Sequence, residues 1–71
     1  MKTLAQYRQD RNLKQGEVAR RLRVGQSTVA TWEAGLAYPR VVMLPKLAKI
    51  LGIEIADVIN AITYSKEREQ R

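Results

Sequence analysis

The chain has neither cysteine nor histidine, and its seven carboxylates are scattered rather than paired. Without cysteine there is no disulfide framework and no thiolate metal site. With histidine and clustered carboxylates missing as well, no group is suited to acid–base, nucleophilic or metal chemistry, so no enzyme, metal or cofactor is expected. Aromatics are few: Tyr7, Trp32, Tyr38 and Tyr64, with no phenylalanine. A protein that stacks unpaired bases normally exposes several, which argues against single-strand binding. No signal peptide or long apolar run is visible, so a cytoplasmic protein without a membrane partner is expected, and no small-molecule ligand is evident. At 71 residues there is room for one domain. A core of that size stabilises a fold by roughly 3–5 kcal/mol.

What is abundant is positive charge, and it is unevenly placed. Residues 1–53 carry ten basic and three acidic side chains, a net of +7, whereas residues 54–71 carry three basic and four acidic ones, a net of −1. The positive field therefore belongs to the N-terminal part rather than to a tail, as a polyanion binder requires.

Apolar residues recur at spacings of three and four, with no strand-like alternation, which predicts an all-α fold of five short helices. Thr3 and Gln6 have capping-box spacing, placing a first helix from about Leu4 to Arg11, ended near Asn12. A second runs from Lys14 or Gln15 to Leu22, burying Val18, Ala19 and Leu22. Arg23-Val24-Gly25 then connects to a third, about Gln26 to Ala34, whose buried stripe holds Val29 and Trp32. Two helices joined by so short a link cross steeply. Pro45 is harmless only in a first turn, so the fourth helix begins between Val42 and Leu44 and closes at Gly52. Ile55, Val58, Ile59 and Ile62 define a fifth, from about Ile55 to Ile62. The expected domain is residues 1–64, with 65–71 a polar, flexible tail.

The segment from Gln15 to Gly35 has the residue types of a helix-turn-helix. Ala19 sits where its two helices approach closely. At about 100° per residue, Gln26, Ser27, Ala30 and Thr31 share one face of the third helix, while Thr28, Val29 and Trp32 point the other way. The first set is short, uncharged and able to hydrogen-bond. Glutamine pairs bidentately with adenine, serine and threonine bond several base edges, and a threonine methyl meets that of thymine, so these four are the candidates for reading bases. Trp32 is read as a core anchor rather than a stacking platform.

The chain resembles the phage repressor and Cro family of helix-turn-helix domains, also called lambda-repressor-like or xenobiotic-response-element-type regulators. The resemblance covers residues 4–59 and is carried by Gln15, the Val18-Ala19 pair, Gln26-Ser27-Thr28-Val29, Trp32-Glu33 with Gly35, Pro39, and Leu47-Ala48-Lys49-Ile50-Leu51-Gly52. It implies a five-helix lambda-repressor-like fold. It also implies that Gln15 bonds a DNA phosphate at a helix N-terminus and buttresses Gln26. Arg40 would meet the backbone or minor groove, and Arg11 and Lys14 would add phosphate contacts. Arg8 and Glu33 match a partly buried structural ion pair, the alternative for Arg8 being a phosphate. Departures from the pattern are Arg23 where glycine is common, Gly25 and Glu54 at capping positions, and Gly16 early in the second helix.

These features lead to a transcriptional regulator, expected to be a repressor, that binds double-stranded DNA at a palindromic operator. One recognition helix buries little surface, so a homodimer on half-sites about 34 Å apart is expected. Its contact would come from Ile59, Ile62 and Tyr64, with Leu36 to Tyr38, unless the isoleucines pack in the core. The competing reading is an antitoxin or antirepressor-like module whose main partner is another protein.

Overall fold

The computed structural model describes residues 1–69. It contains α1 (Leu4–Asp10), α2 (Gln15–Leu22), α3 (Gln26–Glu33), a single 3₁₀ turn (Val41–Met43), α4 (Leu44–Leu51) and α5 (Ile55–Glu69). Its shape is near-isotropic, 32 × 24 × 22 Å. Among the described residues no helix is long and apolar enough to cross a membrane.

Three of these helices start in the same way. The side chain at the third helical position reaches back and accepts the N–H of the capping residue: Gln6 from Thr3 at 2.7 Å, Glu17 from Lys14 at 3.0 Å, and Asp57 from Glu54 at 3.1 Å. Only Thr3 returns the bond, accepting from the Gln6 N–H at 3.1 Å, to complete a capping box. At Glu54 the bond from Asp57 holds the entry to α5 although Glu54 offers no capping side chain of the usual kind. The four shorter helices also end alike, on a left-handed residue: Asn12 (φ 56), Arg23 (φ 58), Gly35 (φ 76) and Gly52 (φ 69). In each the next residue donates its N–H five residues back, as in Leu13 to Arg8, Val24 to Ala19, Leu36 to Thr31 and Ile53 to Ala48. Leu13, Val24 and Ile53 then tuck against the core, but Leu36 is left 71% exposed.

The core is one cluster fed by every helix: Leu4 from α1, Val18, Ala19 and Leu22 from α2, Val29 and Trp32 from α3, Leu47 and Leu51 from α4, Val58 and Ile62 from α5. Pro45 lies in the first turn of α4, as its missing N–H requires.

α5 does not stop at Ile62, and the expected tail is corrected accordingly. The helix continues to Glu69, Ser65 is buried, and its hydroxyl donates to the Ala61 carbonyl at 3.2 Å. The reason is a backbone contact. Gly35 lies so close to α5 that a Cβ built on it would be 2.3 Å from the Lys66 nitrogen and 2.7 Å from the Ser65 carbonyl carbon. Gln70 and Arg71, the rest of that expected tail, lie outside the described residues.

Candidate nucleic-acid interface

α3 is held from beneath by buried Val29 and Trp32, which leaves Gln26 and Ser27 exposed and Ala30 and Thr31 half-buried on its outer side. Thr31 donates its hydroxyl to the Ser27 carbonyl at 2.8 Å, so toward a base it presents a methyl group and acceptor lone pairs rather than a proton. Thr28, expected on the side of Val29 and Trp32, is exposed. It sits on the flank of α3, where the loop leading to α4 stands off. Between them lies an open hollow of about 370 Å³, lined by Val24, Thr28, Trp32, Tyr38, Arg40 and Met43. Arg40 is exposed at its edge and has no ion-pair partner among the described residues.

A polar brace fixes the far end of α3. Arg8 Nε donates to Glu33 Oε2 at 2.6 Å and Nη2 to Oε1 at 3.2 Å, while Nη1 donates to the Leu13 carbonyl at 2.7 Å. The two side chains are 13% and 8% exposed. Arg8 thus ties α1, the α1–α2 link and α3 together, and these bonds turn its guanidinium inward rather than toward a phosphate. Gln15 joins the same brace, donating from Nε2 to Glu33 Oε1 at 2.9 Å. The expected buttress from Gln15 to Gln26 is replaced, since a carboxylate is the stronger acceptor. Gln26 instead lies over the first turn of α2, its Oε1 3.6 Å from where a Cβ on Gly16 would stand.

Of the expected phosphate contacts, Gln15 and exposed Lys14 stand together at the start of α2, where unpaired N–H groups favour an anion. Arg11 extends toward the C-terminal end of α4. Its guanidinium lies against Gly52, so close that a Cβ on Gly52 would be 2.5 Å from Nη1. That is the opposite end of α4 from Met43 and the hollow, roughly 12 Å of helix away. Of the expected dimer contacts, Ile62 is withdrawn: it is fully buried in the core. Ile59 is partly exposed and Tyr64 half-buried. Leu36, expected at the same contact, is 71% exposed, and Val41 at 80% and Val42 at 71% are exposed apolar residues that periodicity passed over.

A closely packed helix pair joined by a three-residue link, an outward polar helix face and cations on both sides of it define a helix-turn-helix domain of the phage-repressor type. The chain belongs to the helix-turn-helix family, whose profile matches residues 4–58. It is 38% identical over 53 residues to the cryptic phage CTXphi transcriptional repressor RstR of Vibrio cholerae, an alignment covering 75% of this chain and 48% of that protein. The chain thus spans about half the length of this curated relative. No solved structure matches it.

Proposed function

We propose that the chain is the DNA-binding unit of a transcriptional repressor, with α3 lying in the major groove and two copies binding a palindromic operator. The observation that carries this is the outer face of α3, where Gln26 and Ser27 are solvent-exposed while Val29 and Trp32 anchor the helix. Lys14 and Gln15 flank that face on one side and Arg40 on the other, placed to hold phosphates. The similarity to a phage transcriptional repressor supports the same reading. Half-sites one helical turn apart put two copies about 34 Å centre to centre, so molecules whose longest extent, 32 Å, runs along the duplex touch or nearly touch. Leu36, Val41, Val42, Ile55 and Ile59 are among the exposed apolar residues free to meet across that gap. The same exposed surface is what an antitoxin or antirepressor-like module would use for a different protein, and recovery of a stoichiometric heterologous partner without DNA preference would favour that alternative.

Selection of bound sequences from random duplex DNA tests the proposal. The expected product is a two-fold symmetric site with half-site centres about ten base pairs apart. Enrichment of no sequence would overturn it. Within such a site, Gln26→Ala is expected to lose about 1–3 kcal/mol against the preferred base at one position per half-site and little elsewhere. Competition binding with single-base variants of the selected site reads this directly. Arg40→Ala is expected to weaken all sequences alike and to lower the slope of log K against log salt by about one per subunit. A salt titration that leaves the slope unchanged would remove Arg40 from the phosphate contacts.

A further inference from the structure

We infer that the last two turns of α5 position the loop that carries Arg40, with Tyr38 and Thr63 as positioning residues for DNA binding. The inference rests on the proposed phosphate contact of Arg40 and goes beyond it by naming what holds that side chain in place.

From Ala34 to Arg40 the chain runs without a helix or strand, and most of its side chains face solvent. Left to itself, such a segment samples many conformations, and fixing each residue costs about 1–2 kcal/mol of backbone entropy. Backbone bonds tie its two ends, Leu36 N–H to the Thr31 carbonyl and Met43 N–H to the Arg40 carbonyl, and three contacts to α5 restrain the stretch between. Gly35 packs backbone to backbone on Ser65 and Lys66, the close approach already described. The Tyr38 hydroxyl bonds Thr63 Oγ1 at 2.6 Å. The Lys66 ammonium stands over the Tyr38 ring, 5.7 Å from its centroid. Arg40 follows two residues later, beyond buried Pro39, whose ring fixes one backbone angle of the short path between them.

These contacts lie outside the core. The apolar cluster ends at Ile62, and both Tyr38 and Thr63 are on the surface side of it. Their hydrogen bond therefore does little for folding as a whole, while it selects one placement of Tyr38 and hence of Arg40. The hollow beside α3 owes one wall to the same restraint, since Tyr38 lines it.

The test is a double-mutant cycle on the full chain, with a fluorescent mixed-sequence duplex of about 30 base pairs, or three helical turns, as probe. A mixed sequence serves because phosphate contacts are independent of base identity. Tyr38→Phe keeps the ring over which Lys66 sits, and Thr63→Val keeps the shape of the threonine, so each removes one partner of the bond and little else. Each is expected to weaken binding about fivefold, the equilibrium worth of one hydrogen bond, and to move the salt slope toward that of Arg40→Ala. In the Arg40→Ala background neither is expected to change affinity further, and the thermal midpoint should stay within a few degrees of the parent in all cases. A change confined to stability would leave the salt slope of the folded protein unmoved. The inference is overturned if both variants bind with parental affinity and slope, or if they weaken binding by the same factor with and without Arg40. If Arg40→Ala alone changes neither quantity, the phosphate role of Arg40 has failed, and the positioning role falls with it.

Discussion

Replacing Arg8 with alanine is expected to destabilise the domain by about 3–5 kcal/mol, as breaking one side of a buried ion pair does. The loss is concentrated because one guanidinium serves three places. Its departure removes two donors from Glu33 and one from the Leu13 carbonyl, leaving a carboxylate that is 8% exposed with Gln15 as its remaining partner. A domain whose whole core supplies roughly 3–5 kcal/mol has little left after such a change. Urea denaturation followed by circular dichroism should show the variant largely unfolded at low denaturant. Glu33→Gln is expected to cost less, because a neutral amide still accepts from Arg8 and is cheaper to bury. The pair Arg8→Met with Glu33→Leu should recover much of the deficit, since no charge is then stranded. An Arg8→Ala protein with parental urea resistance would show the brace to be idle, and α3 would then depend on Val29 and Trp32 alone.

The brace also marks a limit of what is legible in a single sequence. Helix starts and stops rest on neighbouring residues, so Thr3 with Gln6, Pro45 and Gly52 announced them locally, and the close packing of α2 on α3 followed from Ala19 and the brevity of Arg23-Val24-Gly25. Arg8 and Glu33 lie 25 positions apart, and nothing in their neighbourhoods points from one to the other. Resemblance to a family suggested that pairing, but not that Gln15 would join it in place of Gln26. α5 illustrates a different loss. Its buried stripe is Val58, Ala61, Ile62 and Ser65, spaced three, one and three apart, and two of these four are too small or too polar to register as apolar. The visible pattern is Ile55, Val58, Ile59 and Ile62, of which Val58 and Ile62 are inside and Ile55 and Ile59 are exposed. Thr28 was misplaced for a related reason: an eight-residue surface helix buries a narrow stripe, and a residue about 70° from its centre is exposed unless another element covers it. Here the neighbouring loop stands away and leaves a hollow.

The contact that extends α5 can be tested at its glycine. Gly35→Ala is expected to cost about 2–5 kcal/mol, from about 1–2 for a left-handed alanine and about 1–3 for overpacking. Conformation alone is tolerable in this chain, since Asn12 and Arg23 already adopt φ 56 and 58. What distinguishes Gly35 is the identity of its neighbours. The new methyl would lie 2.3 Å from the Lys66 nitrogen and 2.7 Å from its Cα, and a helix backbone cannot withdraw from it without moving as a body. Gly52 is the control. Its φ of 69 is similar, but the atom a Cβ would strike is Arg11 Nη1, at the end of an exposed side chain free to swing aside. Gly52→Ala should therefore cost only the backbone component, about 1–2 kcal/mol. Parallel urea titrations of the two variants would separate strain from collision. Equal losses would mean that nothing rigid stands above Gly35. The end of α5 would then be undocked in solution, and with it would go the restraint on Tyr38 and the fixed placement of Arg40 beside the reading face of α3.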